Sequence, residues 1–228
     1  MIHLYLINCK ISDIKITLKE IYLSGGEPTL IKHNLRLLQR LDKNITCTIR
    51  INSNMMFKAD NQIIEELKKF SNVLFTISAD AMESRYEYIR HGADWNVFLK
   101  NLELLQQVKH FKWRLNSVFF VASALYLTET QEFFKRNFDI TDFTINQVQM
   151  DHDYLKARNL PTESKEQCID KLASYMQMQS DQNLLGQIET CILELRCNKE
   201  HSYEDFFNTV DSKYNTNWRT MFPEIVDA

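Results

Sequence analysis

Gly25-Gly26-Glu27-Pro28 sets a carboxylate behind two glycines and ahead of a proline, directly after the apolar run Ile21–Leu23 and Ser24. The glycines allow a ligand or another backbone to approach closely and permit positive φ. Pro28, with a fixed φ and no N–H, suits the start of a helix. Glu27 therefore stands where a strand gives way to a helix, the position at which α/β folds hold their ligands. Two further polar segments close apolar runs in the same way. Asn52-Ser53-Asn54 follows Ile45–Ile51, and Ser78-Ala79-Asp80 follows Val73–Ile77, with Arg85 and Arg90 shortly downstream. If the three runs are adjacent parallel strands, their ends share a rim carrying Glu27, Asn52, Ser78 and Asp80. Such a rim suits a zwitterion. Glu27 can accept from an ammonium, Arg90 and Ser78 can donate to a carboxylate, and Asp80 or Asn52 can bind ribose hydroxyls. Blander roles stand beside these: Gly25-Gly26 as a tight turn, Ser78 and Asp80 as helix caps, Arg85 and Arg90 as a solvated helix face.

The elements that must position this rim alternate along the chain. Apolar, β-branched runs occur at Ile21–Ser24, Ile45–Asn52, Val73–Ser78, Leu115–Val121 and Phe143–Val148, with a weaker run at His3–Ile7. Between them lie stripes of helical period: Leu30, Ile31, Leu35, Leu38 and Leu41; then Ile63, Ile64, Leu67 and Phe70 behind a cap at Asp60; then Val97, Phe98, Leu102, Leu105 and Val108 behind a cap at Asp94. Thr128 with Gln131 resembles a capping box. Strands alternating with helices of this length imply an α/β chain of parallel βα units with strand ends gathered on one side. Past residue 150 the strand pattern stops, and residues 163–179, 183–198 and 203–214 read as helices. The expected organisation is an α/β barrel region over 1–150 and a helical extension over 151–228. Trp95 and Trp113 are expected in the core, Trp218 as an anchor for the tail, and His91 and His152 on the surface.

Composition narrows the partners. The 228 residues are 44% hydrophobic and 25% charged, with a net charge of −3. That balance argues against a nucleic-acid or anionic-membrane partner. No apolar run reaches the roughly 20 residues that span a bilayer. Met1 to Lys10 lacks the marks of a signal peptide, and the five scattered cysteines suit a cytoplasmic protein with free thiols. Cys191 and Cys197, six apart in a helix-like segment, fall on different faces, and no histidine pair has metal-ligand spacing. No metal site is expected from the residues present, and no catalytic acid is singled out: Tyr126, Tyr154 and the cysteines stay open.

Ser24-Gly25-Gly26-Glu27-Pro28-Thr29-Leu30 after a strand, then Asn52-Ser53-Asn54, then Ser78-Ala79-Asp80-Ala81, resembles the radical S-adenosylmethionine (SAM) superfamily. The segment Arg85–Trp95, Phe206-Phe207 and Met221-Phe222-Pro223-Glu224 are similar to its members with twitch or SPASM C-terminal regions. The resemblance implies a partial (β/α)6 TIM-like barrel with SAM across the strand ends. It implies that Gly25, Gly26, Glu27 and Pro28 hold the methionine ammonium, that Ser78 and Arg90 bind the carboxylate with Arg85 as competitor, and that Asp80 and Asn52 lie near the ribose. Relatives cleave SAM reductively at a [4Fe–4S] cluster, releasing a 5′-deoxyadenosyl radical that takes hydrogen from a substrate, often a peptide or protein. The cluster is held by Cys-x3-Cys-x2-Cys upstream of the glycines. Here Cys9 alone precedes Gly25, and the triplet occurs nowhere in residues 1–228. The chain thus reads as a member lacking its N-terminal cluster loop, with a clusterless SAM-, nucleoside- or peptide-binding barrel, or an inactive fragment, as the alternatives.

Overall fold

The computed structural model describes residues 19–226, apart from Ser24 and Ala59. Five parallel strands form one sheet in sequential order: β1 (Glu20–Leu23), β2 (Thr48–Ser53), β3 (Val73–Ser78), β4 (Phe111–Phe119) and β5 (Phe143–Gln147). Each strand pairs with the one before it, as in a barrel rather than a doubly wound sheet. The linking helices are α1 (Lys32–Arg40), α2 (Gln62–Leu67), α3 (Glu83–Ile89), α4 (Trp95–Gln106) and α5 (Leu127–Phe138). Among the described residues only helices follow β5: α6 (Thr162–Met176), α7 (Gln182–Arg196), α8 (Glu204–Tyr214) and the short α9 (Trp218–Met221), with 3-10 turns between some of them. This is a partial TIM-like α/β fold with a helical C-terminal part. The weak run His3–Ile7 and Cys9 lie outside the described residues.

The register separates the sheet into two unlike faces. In parallel strands, paired residues point to the same side. Ile49, Val73 and Phe111 share one side, as do Ile51, Phe75 and Trp113, and then Ile77, Leu115 and Phe143. Nearly all of these are buried under helices, and Phe75 stacks on Trp113 at 5.3 Å. The other side carries Tyr22, Arg50, Leu74 and Lys112 at one level, Asn52, Thr76 and Arg114 at the next, and then Ser78, Asn116 and Thr144, so that it is mostly polar. A fully covered parallel sheet would be apolar on both faces. A polar face here marks the inside of an open barrel, left uncovered by core side chains. The alternation also explains two shifts from the sequence reading. β4 begins at Phe111, ahead of Leu115, because Lys112 and Arg114 fall on the polar face and interrupt the apolar run. β2 begins at Thr48, because Ile45 lies before the pairing starts.

Local chemistry corrects three expectations. The cap of α2 is Asn61, whose Oδ1 accepts from the N–H groups of Ile63 and Ile64, and not Asp60 one residue earlier. The Thr128–Gln131 capping box does not form: α5 already begins at Leu127, out of a 3-10 turn. Leu30 leaves the buried stripe and is 66% exposed, because Pro28 starts a 3-10 turn before α1 begins at Lys32. Asp94 does cap α4, through Asn96 and Val97. Trp95 and Trp218 are buried.

Candidate functional site

The Gly25–Pro28 loop crosses the C-terminal end of β1. Both glycines are exposed, and Gly25 has φ +138°. A Cβ there would lie 2.1 Å from Ile31 Cδ1, whereas one on Gly26 meets open space. We expect Gly25→Ala to lose about 1–2 kcal/mol in urea unfolding through backbone strain, and Gly26→Ala to stay within about 0.5 kcal/mol of wild type.

Glu27 is the clasp of this loop. Its Oε1 accepts from the Thr29 N–H at 3.1 Å, the Thr29 hydroxyl at 2.7 Å and the Ser53 hydroxyl at 3.1 Å. Its Oε2 accepts from the Asn54 N–H at 2.9 Å and again reaches Ser53 Oγ at 3.2 Å. One carboxylate thus caps the turn at Pro28 and ties the end of β1 to the end of β2. The carbonyls of Gly25 and Gly26, by contrast, accept no hydrogen bond among the described residues. Beyond Ser53 the chain is pinned from several sides. Met55, buried at φ 62°, donates its N–H to Ser53 Oγ at 2.9 Å. Buried Asn101 donates to the carbonyls of Met55 and Phe57 at 2.6 and 2.9 Å, and Tyr86 donates its hydroxyl to Asn54 O at 3.1 Å. A positive φ at a non-glycine residue persists only where its surroundings over-determine it.

The third segment brings two predicted residues into direct contact. Asp80, 4% exposed, accepts from the Val118 N–H at 2.8 Å through Oδ1 and from Arg90 Nη2 at 2.7 Å through Oδ2. Arg90 leaves the C-terminal end of α3 to make this pair, and its buried Nε has no partner. Neither Ser78 nor Asp80 caps α3, whose first turn has no side-chain cap. Ser78 stands on the polar face beside Asn116 of β4. Asn52 stands beside Thr76, and Asn52 Oδ1 and Thr76 Oγ1 are buried without partners. A buried polar atom left unpaired costs about 1–3 kcal/mol. Two neighbours of this kind on one barrel face offer hydrogen-bonding capacity that no protein group uses.

Tyr86 links the segments and was not singled out by sequence. It is fully buried against Trp95 and Phe98 at 5.2 Å each. Burial pushes its phenol well above the ordinary range; Arg90 pulls it back, while Asp80, Glu27 and Glu87 push it further up. It therefore stays a neutral donor to Asn54, amid the charges of the site. An aromatic residue between two arginines gives no sequence signal for this role, and neither does Asn101 in an otherwise apolar helix.

Arg85 lies apart from these contacts. Its Nε donates to Met221 O at 3.0 Å, its guanidinium covers the Tyr126 ring at 4.1 Å, and Glu224 lies 3.6 Å away. Tyr126 also donates to Glu224, and Phe222 packs edge-on to Tyr88 at 5.4 Å. One face of α3 thus holds the C-terminal segment, and residues from the other reach the rim. A groove of about 690 Å³ lies elsewhere, between α5 and α6, lined by Phe133, Lys171, Tyr175 and Met178.

Residues 10–121 match the family model described as the radical SAM superfamily. The chain belongs to that superfamily. The solved structures agree on the fold. Streptococcus suis SuiB bound to S-adenosylmethionine is 18% identical with a TM-score of 0.53, over 70% of this chain and 35% of that one. A second structure of SuiB gives a TM-score of 0.54, at 18% identity, over 72% of this chain and 37% of that one. Native anSMEcpe with bound AdoMet is 14% identical with a TM-score of 0.51, over 75% and 50%. The chain spans half or less of the length of these proteins. Among curated proteins none matches.

Radical SAM proteins use SAM and a [4Fe–4S] cluster, and the two fare differently against these residues. SAM fits: an amino acid, a ribose and a base need the donors and unpartnered acceptors that the polar face offers. The cluster does not fit the described residues. They contain no group of three His, Cys, Asp or Glu side chains able to hold a metal. Cys168 and Cys191 are buried, and burial pushes both thiols up to about 12, away from the thiolate an iron requires. Cys168 donates to Ala124 O, and Cys191 accepts from Gln147.

Proposed function

We infer that this chain binds SAM across the C-terminal ends of β1 to β4, as the SAM-holding barrel of a radical SAM protein acting in the cytoplasm on a peptidic substrate. The observation that carries this is the juxtaposition of a clasped Gly25–Pro28 loop, unpartnered Asn52 and Thr76, and the Asp80–Arg90 pair on one rim. The exposed carbonyls of Gly25 and Gly26 are suited to the methionine ammonium, with the Glu27 carboxylate behind them fixing the loop and contributing negative charge. Arg90, oriented by Asp80, and Ser78 are suited to the methionine carboxylate. Asn52 is suited to the ribose hydroxyls. When bound, the superfamily's cofactor pair supplies a carbon radical for hydrogen abstraction; the residues described here bind, orient and shield SAM. The peptidic substrate follows from the similarity of Arg85–Trp95 and the C-terminal segment to twitch-type proteins.

Calorimetric titration tests the reading, with SAM and with methylthioadenosine, which lacks the amino-acid half. SAM should bind one to one, and methylthioadenosine about 100-fold more weakly, the equivalent of one or two charge-assisted hydrogen bonds. Equal affinities would remove Arg90 and the glycine loop from the site, and no binding of either would remove the function.

A further inference from the structure

A continuous run of hydrogen bonds joins the loop after β1 to Arg90, and Tyr86 supplies its middle. Glu27 Oε2 accepts from the Asn54 N–H at 2.9 Å. Asn54 O accepts from the Tyr86 hydroxyl at 3.1 Å. Tyr86 O in turn accepts from the N–H of Arg90, the C-cap of α3, at 2.9 Å. Arg90 then reaches Asp80 through Nη2 at 2.7 Å. Both ends of the run are anchored, Glu27 by Thr29 and Ser53, and Asp80 by the Val118 N–H. The ring that spans the gap has little room to move. Tyr86 is 0% exposed, and its ring lies 5.2 Å from those of Trp95 and Phe98, which stack on each other at 5.2 Å. Phe98 packs in turn edge-on to Phe134 at 5.8 Å. Aromatic rings interlocked in this way shift little, because the interior leaves them no free volume.

We propose that Tyr86 is a positioning residue, whose hydroxyl fixes the separation between the Gly25–Glu27 loop and Arg90 and so makes the site selective for a ligand with an ammonium and a carboxylate on one carbon. An α-amino acid holds those two charges at one short distance, because they share a carbon. Two halves of a site that could slide apart would grip either charge without regard to the other. A rigid ring, bonded to Asn54 by its hydroxyl and to Arg90 by its carbonyl, holds the halves in register. This inference rests on the proposed reading that the loop takes the ammonium of SAM and Arg90 its carboxylate. Under that reading Tyr86 touches no ligand and acts through Asn54 and Arg90. Tyr88, on the same helix, turns its hydroxyl to Asp211 of α8 at 3.0 Å instead. Its bond supports the helix without reaching the rim.

The test is calorimetry of the full chain with SAM and with decarboxylated SAM, which keeps the ammonium and lacks the carboxylate. Wild type should prefer SAM by about 30-fold, the equivalent of one charge-assisted contact to the carboxylate. Tyr86→Phe removes one hydroxyl and keeps the ring. It should cut the preference to about fivefold and hold decarboxylated SAM within about threefold of wild type. Tyr88→Phe removes a hydroxyl from the same helix and should leave the preference within about twofold. General loosening of α3 lowers both affinities in step, so the ratio separates positioning from mere support. Amide exchange on the wild-type chain supplies a second measurement and decides if Tyr86→Phe does not fold. Decarboxylated SAM should slow the Asn54 and Arg90 amides together, although it offers Arg90 no carboxylate. An unchanged preference in Tyr86→Phe overturns the assignment. So does an equal loss in Tyr88→Phe, or an Arg90 amide that decarboxylated SAM leaves unchanged. Absence of SAM binding by wild type, or equal binding of the two ligands, would remove the reading beneath the inference and the inference with it.

Discussion

Asp80→Ala is expected to cost the fold about 3 kcal/mol and SAM affinity about 100-fold. The carboxylate is buried and serves two partners, the Val118 N–H and Arg90. Alanine leaves both without an acceptor in a place water reaches poorly. Breaking a buried charge pair from one side costs more than the pair contributes, because the surviving charge is stranded. Arg90 retains 27% exposure, which moderates the loss by letting the guanidinium turn toward solvent. That same turn removes it from the rim, so affinity falls even when the protein is cooled to offset the instability. Asp80→Asn separates the two effects. Its amide oxygen can still accept from Val118, so stability should fall by only about 1–2 kcal/mol, while the fixed charge that orients Arg90 is gone and SAM affinity drops nearly as far as in the alanine variant. Urea unfolding and SAM calorimetry on both variants check this. Wild-type affinity in Asp80→Asn would show that Arg90 does not need its partner.

Glu27→Gln should lower stability by about 2 kcal/mol and weaken SAM by at least about tenfold. The carboxylate accepts from two N–H groups, Thr29 and Asn54, on different oxygens, besides the hydroxyls of Thr29 and Ser53. Glutamine offers one oxygen and one NH2. Whichever way the amide is turned, an N–H donor then faces another N–H donor, and the loop parts from β2 or loses its turn. The hydroxyls can rotate to accept from the new amide, so the variant keeps part of the clasp; Glu27→Ala keeps none and should fall further in both measurements. A Glu27→Gln variant of wild-type stability would mean that the loop is held by its backbone alone.

Much of this architecture was legible because it is local. Helices α6, α7 and α8 lie close to the windows read from their apolar stripes, and the Asp94 cap follows directly from an Asp ahead of an amphipathic run. The strand windows were legible wherever β-branched residues run together, and blurred at Lys112 and Arg114, where one face turns polar. Alternation of that kind in a parallel sheet was itself the trace of an open barrel, readable only once the pairing showed which residues stand level. Side-chain partners were the part least accessible to sequence. Nothing in the spacing says that Arg90 turns back to Asp80 while Arg85, five positions earlier, turns to Met221 and Glu224. That choice is made by the docking of a segment more than a hundred residues away. The clasp formed by Glu27 was hidden for the same reason: its partners Ser53 and Asn54 stand at the end of the next strand and just beyond it.

The most direct measurement of the central claim is a crystal structure of this chain with SAM. The account predicts the amino-acid end of SAM between the Gly25–Glu27 loop and the Ser78–Arg90 side, with the nucleoside reaching Asn52. SAM seated in the groove between α5 and α6, or on the barrel floor with the Gly25–Glu27 carbonyls left uncontacted, would contradict it.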